Sequence, residues 1–365
     1  TKSAFTMYGG SRWTKEFWIG ATPSLTAMNF NLVYLAQTKF IPNYDPSKVV
    51  SESGINEYHA VRFDAWLKMP KDLYDAGQLK KSMTTTGGRP EIGPYPDWVI
   101  RWLYTGDIRT KESAFGNADL SAAWPIHFRE GNSAKKMDKA KTTPGFGKII
   151  SISDRPSVFL SNLTHANNKA ADKIKIVGPE TAETAGGWKP DMAHSFDIHS
   201  PIYTSTGDYW YLEELWFWTA YGAASGDGIG GVYPFRRGPT GAEGGLTGQL
   251  RGKAWMLRTR VNAAFVSPDN TVEKSYFDDL MNDVIAIEEG YKNITATPFY
   301  QNTNWTWGRS FFNQPVLGNP KQNQWDSGED GSAQTQYGID VAVTKSAISG
   351  FSQDFLMFAL GRAKE

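Results

Sequence analysis

Apolar side chains recur every three or four residues along several stretches of the chain, and this period predicts helices. In residues 250–265 Leu250, Ala254, Leu257 and Val261 form one stripe, whereas in residues 209–221 apolar side chains occupy nearly every face. A helix that is apolar on all sides is buried against several neighbours. The same reasoning predicts helices over residues 97–104, where Pro96 and Asp97 give a start signal, and over residues 110–118, 271–289 and part of 340–363.

Tight turns separate these runs. They are Thr105-Gly106-Asp107, Thr206-Gly207-Asp208 and Ser267-Pro268-Asp269. Glycine or proline ends the first helix, and aspartate or a hydroxyl side chain can cap the second. One helical hairpin cannot bury its apolar face alone, so repeats must stack or close into a ring. The pattern therefore predicts a mainly α fold: an (α/α) toroid or a stack of helical hairpins, with long irregular loops.

The first 83 residues have a different pattern. Short aromatic runs are punctuated by glycine, as in Phe17-Trp18-Ile19-Gly20, which is typical of strands. We also expect a strand over residues 57–62 and a short helix over residues 72–76. The predicted organisation is a β-rich N-terminal segment, residues 1–83, followed by a helical-hairpin toroid domain, residues 84–365. Long loops are expected at 84–96, 131–147, 166–187, 223–248 and 293–331, where function or disorder often resides.

Composition narrows the classes of function. The 365 residues include no cysteine, so disulfides and thiolate metal sites are excluded. Lysine plus arginine and aspartate plus glutamate both total 38, which gives no electrostatic argument for nucleic acid. No apolar run approaches the ~20 residues that span a bilayer, so we expect no membrane insertion. No nucleotide-binding motif is present, and no cofactor is expected. The start at Thr1 without an apolar leader favours a removed export signal or a fragment; we expect an extracellular or periplasmic location, or alternatively a virion.

Two histidines and a carboxylate lie together at His194, Asp197 and His199, shortly before Tyr203. Such a set can bind a metal, transfer protons or form a structural polar network, and the sequence leaves all three open. The spacing of five does not put both histidines on one helix face, and we expect no metal site. We take His194, His199 and Tyr203 as candidate catalytic residues.

Arginines supply a second candidate feature. Arg251 and Arg258 lie seven residues apart on one helix face, with Trp255 between them. Arginine binds carboxylates, either of uronic acids or of buried acidic side chains, so salt bridges between hairpins are the alternative. The 14 tryptophans serve a core or stack on sugar rings. Together with two pairs at the ends of helical runs, the candidate substrate-binding residues are Arg89, Glu91, His127, Arg129, Arg251, Trp255 and Arg258.

A resemblance to known proteins is carried by residues 88–94, 124–130, 193–194 together with 206–215, and 251–258. They resemble poorly characterised bacterial and phage-associated proteins whose helical part is similar to the (α/α) toroids of polysaccharide lyases and some glycoside hydrolases. The likeness covers about residues 84–289. It implies a toroid whose helix ends and loops line a cleft, but it carries over no catalytic set.

Toroid lyases generally use a tyrosine or histidine base, with an asparagine, histidine or arginine that neutralises the uronate. The residue types available here are Tyr203, His194, His199 and Arg258. The leading hypothesis is therefore a carbohydrate-active toroid that acts on or binds an acidic polysaccharide, as a lyase or glycoside hydrolase if it is an enzyme. The alternative is a non-catalytic structural or adhesive protein of a virion or cell surface, with copies of itself or virion proteins as neighbours.

A geometric expectation follows from the hairpin order. His194, His199, Arg251 and Arg258 should share one concave surface, because consecutive hairpins are neighbours. If the region is instead a dry interior, Asp191 and Asp197 are the expected internal partners of the arginines.

Overall fold

Helices dominate the described part of the chain. The computed structural model describes Arg12 and residues 19–20, 31–41, 45, 47–48, 50–72, 75–82, 89, 91–161, 168–174, 188–225, 237–238, 240–246, 250–292 and 350–365. The helices are α1 Leu32–Gln37, α2 Glu52–Tyr58, α3 Asp64–Lys68, α4 Asp97–Thr105, α5 Ile108–Ser121, α6 His199–Thr206, α7 Tyr209–Ala224, α8 Leu250–Val266, α9 Val272–Lys292 and α10 Gly350–Lys364. A π-helical turn, His59–Phe63, joins α2 to α3, and a 3-10 turn covers Met192–His194.

Three predicted helical hairpins are confirmed: α4 packs against α5, α6 against α7 and α8 against α9. Gly106 and Gly207 end the first helix of two hairpins in the left-handed conformation, with φ of 65° and 70°. Asp107 and Asp208 then cap the second helix, accepting hydrogen bonds from the amides of Arg109 at 2.8 Å and Trp210 at 3.1 Å. The local turn chemistry therefore fixes where these helices end and begin.

The hairpins pack on one another in chain order. Tyr211 of α7 donates a hydrogen bond to Asp119 of α5 at 2.9 Å, and its ring meets the edge of Phe115. Helix α7 then packs against α8. Helix α8 lies at the centre of the described fold, since it also contacts α6, α9, α10 and the 3-10 turn. The mainly α fold built from hairpins is thus established.

The β-rich character expected for residues 1–83 is not found in the described part of that segment. The predicted strand over residues 57–62 is wrong, because these residues belong to a nearly continuous helical stretch from Glu52 to Lys68. Ser51 caps this stretch by accepting from the amide of Gly54 at 3.0 Å. Ile55, His59 and Trp66 are buried on it at spacings of four and seven, a helical period. The glycine-punctuated runs before residue 31 lie outside the described residues, apart from Arg12, Ile19 and Gly20.

Strand content is low, with isolated antiparallel bridges at Arg129–Ile149 and Lys136–Pro144 in the described residues. These bridges fold the predicted loop 131–147 back on itself. Of the other long loops, residues 293–331 lie outside the described residues, and those at 84–96, 166–187 and 223–248 lie partly outside. The predicted helix over 72–76 is described only at Asp72, Asp75 and Ala76, which are not helical. Within the described residues, no helix combines the length and apolarity needed to cross a bilayer.

Two apolar clusters fill the interior. The main cluster centres on the rings of Trp124, Trp188, Phe196 and Trp218, whose centroids lie 4.8–6.1 Å apart in the contacting pairs. The second cluster contains Met192 and Trp255 and receives Leu356 and Ala359 of α10. The segment 188–198 contributes to both clusters and so lies between the hairpins, where it positions His194.

Candidate functional site

Helix α8 buries four cationic side chains. Arg251, Lys253, Arg258 and Arg260 are each at most 5% exposed. A buried charge is costly unless hydrogen bonds or counter-charges replace its water. Two of these arginines donate to backbone carbonyls of loops: Arg258 to Pro94 at 2.8 Å and Ser195 at 3.0 Å, and Arg260 to Gly244 at 2.5 Å. Burial lowers the pKa of Arg260 to about 10, which leaves the side chain charged at neutral pH.

Arg251 has a different environment, which we call the Arg251 cluster: Arg89, Glu91, Asp191, His194 and Arg251. Arg251 Nη2 lies 2.8 Å from His194 Nε2, and His194 Nδ1 lies 2.6 Å from Asp191 Oδ2. Arg89 Nε lies 2.9 Å from Glu91 Oε1. The Asp191 side chain is 45% exposed, so this chain of contacts runs from solvent to a buried guanidinium.

Electrostatics link the two arginines of the cluster. Burial lowers the pKa of Arg251, the charge of Asp191 raises it, and the positive charge of Arg89 lowers it further. The pKa of Asp191 is lowered: loss of water opposes this, but the hydrogen bonds from His194 and from the Ala193 amide prevail, together with the charge of Arg251. Two guanidinium groups and two carboxylates thus share one place in the fold. Such a mixed set carries donors suited to a carboxylate and acceptors suited to hydroxyl groups, and of these side chains Asp191 is the one substantially exposed to solvent.

A glycine helps to place His194 beside Arg251. A Cβ on Gly252 would lie 3.4–3.6 Å from backbone atoms of Met192 and Ala193. At this position α8 therefore packs against the backbone of the 3-10 turn. Asp191 also caps that turn, accepting from the amide of Ala193 at 2.8 Å. These backbone contacts therefore fix the position of the turn from which the His194 side chain extends.

His199 does not join this cluster. Its ring is buried at the start of α6, with Nε2 2.8 Å from Ser121 Oγ on α5. Burial lowers the pKa of His199, so the neutral ring is favoured at neutral pH. Asp197, expected as a partner of an arginine, instead accepts from Ser200 Oγ at 2.6 Å and Asn262 Nδ2 at 2.7 Å. The histidine pair of the sequence is thus split between two surroundings.

The other predicted site residues on these helices lie inside the fold. Arg258 is buried over the ring of Trp255, 4.7 Å from its centroid, and Trp255 also packs on Phe355. Tyr203 is half-buried against the main cluster. A contact of Trp255, Arg258 or His199 with a substrate would require the surrounding helices to move.

A second polar group, the Glu214 cluster, comprises His127, Arg129, Glu213 and Glu214. His127 Nε2 lies 2.8 Å from Glu214 Oε2, and Glu214 is almost completely buried. Arg129, 47% exposed, pairs with Glu213 at 3.0 Å and lies over the ring of Phe217. Sequence reasoning missed Glu214, although a carboxylate within a helix that is apolar on every side signals a buried partner.

Among the described residues, no group of three or more histidine and carboxylate side chains is arranged to hold a metal ion. Comparison with family models, with curated proteins and with solved structures found no match to this chain. The geometry of the site therefore carries the functional proposal.

Proposed function

We propose that the protein binds an acidic polysaccharide through the Arg251 cluster, as a helical-hairpin protein of the toroid type. The observation that carries the proposal is the placement of Arg251, held by His194 and close enough to Arg89 for the two charges to repel. A carboxylate is the ligand that a guanidinium fork accepts best, and an anion offsets repulsion between neighbouring guanidinium groups.

Carboxylates in the same cluster support a sugar rather than a simple anion. The exposed side of Asp191 can accept hydrogen bonds from hydroxyl groups. Glu91 and Arg251 are buried, so the uronate reaches an arginine when the segments around the cluster open. Lyase activity is a further candidate within this proposal. It needs a base besides the cation. Of the predicted bases, His199 contacts Ser121, Tyr203 packs against the main apolar cluster, and His194 already contacts Arg251.

The proposal is tested with polygalacturonate, alginate and hyaluronate, with a neutral galactan as the comparison ligand. Titration calorimetry on the full chain should detect binding to at least one polyuronate and none to galactan. Arg251→Met should weaken binding about tenfold or more, because it removes a charge-assisted hydrogen bond. Arg62→Met, at an exposed arginine, is the matched control and should bind as the wild type does. Absence of polyuronate binding at high ligand concentration ends the proposal.

Catalysis is measured in the same mixtures of protein and polyuronate. A lyase releases unsaturated uronates, so the ultraviolet absorbance should rise with time only in the presence of active protein. Binding without this rise assigns the chain a non-catalytic role on the polysaccharide.

One observation favours the structural or adhesive candidate. Phe40 and Phe265 are 40% and 47% exposed and their rings lie 6.3 Å apart, which is an apolar surface suited to a neighbouring protein. Light scattering after size exclusion tests this. This candidate is favoured over the first if the protein forms a stoichiometric assembly, if Phe265→Ser dissociates that assembly, and if no polyuronate binds.

A further inference from the structure

His194 has a defined protonation pattern in the Arg251 cluster. Arginine can only donate hydrogen bonds, so His194 Nε2, 2.8 Å from Arg251 Nη2, must be the acceptor. A histidine whose Nε2 carries a lone pair and whose Nδ1 lies 2.6 Å from a carboxylate is neutral with the proton on Nδ1. Both contacts agree on this tautomer.

We propose that Asp191 is a positioning residue, which holds His194 in the Nδ1–H tautomer so that Nε2 fixes the guanidinium of Arg251 for a carboxylate ligand. The inference rests on the proposed function for the nature of the ligand. It also assigns His194 a new role: its Nε2 lone pair is used by Arg251, so the ring is a support for the arginine rather than the base that the sequence suggested.

Asp191 acts on Arg251 through His194. Its Oδ1 is occupied by the Ala193 amide and its Oδ2 by His194, so the carboxylate is held from both sides. His194 contacts Asp191 and Arg251, and the charge of Arg89, which pairs with Glu91, acts on Arg251. Ordering a guanidinium before the ligand arrives reduces the entropy lost on binding.

Asp191→Asn separates this role from folding. The asparagine oxygen can still accept from the Ala193 amide and so keep the cap. Its NH2 group donates to His194 Nδ1, which forces the proton onto Nε2. Nε2–H and Arg251 Nη2–H are then two donors facing each other, and the guanidinium loses this acceptor. Asp191→Glu restores a carboxylate and is the rescue variant, and Asp269→Asn, an exposed aspartate, is the matched control.

The first measurement uses the free protein. Nitrogen-15 NMR of the imidazole should show a protonated Nδ1 and a lone-pair Nε2 for His194 in the wild type and in Asp269→Asn. Asp191→Asn should reverse the two signals, and the Arg251 guanidinium signals should show faster rotation. An Nε2–H tautomer in the wild type, or no change in Asp191→Asn, overturns the inference.

The second measurement uses trigalacturonate as the probe. Its affinity should fall about tenfold or more in Asp191→Asn, recover at least partly in Asp191→Glu, and stay unchanged in Asp269→Asn. A reversed tautomer with undiminished affinity overturns the positioning role. If the wild type does not bind trigalacturonate or any polyuronate, the proposed function fails, while the NMR signals of His194 and Arg251 still decide whether Asp191 holds the arginine.

Discussion

At the scale of single residues, burial decides what each histidine can do. His194 lies between a half-exposed carboxylate and an arginine, and it links the two. His199 is 1% exposed and contacts a serine hydroxyl, so its ring serves the packing of α6 on α5. His127 lies against the buried Glu214. The same residue type therefore has three roles, which are set by the partner and not by the sequence spacing.

His199 gives a pH-dependent prediction. Its pKa in the folded state is lowered by burial, while in the unfolded chain it is about 6.5. Below about pH 6.5 the unfolded chain takes up a proton that the folded ring resists. The free energy of unfolding should therefore fall as pH decreases from 7 towards 5, by at most about 1.4 kcal/mol per pH unit for this group. Above about pH 7.5 the group contributes no pH dependence.

The measurement is urea denaturation of the wild type and His199→Gln at pH 8, 7, 6 and 5. The lost packing in the variant lowers its stability equally at every pH, so only the slope matters. The variant should have the shallower slope between pH 7 and 5. Carboxylates with lowered pKa values act nearer pH 4 and cancel in the comparison. Parallel curves for the two proteins would show that His199 does not titrate in this way.

At the scale of elements, the turn between two helices is set by few residues. Gly207 adopts φ of 70°, a region that side chains with a Cβ enter only with strain, and a Cβ there would touch nothing within 4 Å. Any cost of adding a methyl group is therefore backbone strain and not a clash. Asp208 follows at once and caps α7. Because the glycine ends one helix and the aspartate begins the next, the same Thr-Gly-Asp triplet serves both hairpins.

Gly207→Ala should lower the free energy of unfolding by about 1 kcal/mol, because alanine pays for the left-handed conformation. Gly361→Ala is the matched control. Gly361 lies inside α10 with open space around its Cβ position, so alanine there should raise stability by about 0.5–1 kcal/mol. Chemical denaturation of both variants gives the two signs directly. Equal effects at the two glycines would contradict the role of the turn.

Helices and turns were predictable from the sequence, since their signals are local. The start predicted for α7 and both ends predicted for α8 agree with the structure to within a residue. The helical stretch around His59 was misread because Val61 and neighbouring aromatic residues have a strand-like composition. The site was predictable only in part. Arg251 and His194 were both identified, yet their contact joins residues 57 apart, and no local pattern encodes it.

At the scale of the whole molecule, buried arginines join the helical scaffold to loops. Arg237 donates to the carbonyls of Ala223, Pro156 and Val158, and Arg155 donates to those of Asp172 and Lys173 while it pairs with Glu130. Arg362 of α10 reaches the carbonyl of Lys39 and the side chain of Asn262. A guanidinium has five donors in a planar fork, so one side chain can satisfy several loop carbonyls that have no helix or sheet partner.

Arg258 tests this principle at the centre of the fold. It donates to Pro94 and Ser195, which lie in two segments far apart in sequence, and it is completely buried. Arg258→Met keeps much of the apolar packing but removes the donor to the buried carbonyl of Ser195 and to the partly buried carbonyl of Pro94, so we expect a loss of about 2–5 kcal/mol in unfolding free energy. Arg258→Lys should not restore stability fully, because a single ammonium group cannot reproduce the planar fork.

Arg129→Met is the matched control, since Arg129 also donates to a backbone carbonyl and lies over an aromatic ring, but it is half-exposed and pairs with Glu213. Its loss should cost less than about 1 kcal/mol, as is usual for surface ion pairs. Urea denaturation compares the three variants, and hydrogen exchange locates the effect. Amides near residues 92–96 and 192–196 should exchange faster in Arg258→Met and not in Arg129→Met. If Arg258→Met and Arg129→Met lower the free energy of unfolding equally, or if hydrogen exchange rises uniformly along the chain, Arg258 does not anchor these loops. Their own packing then holds them in place.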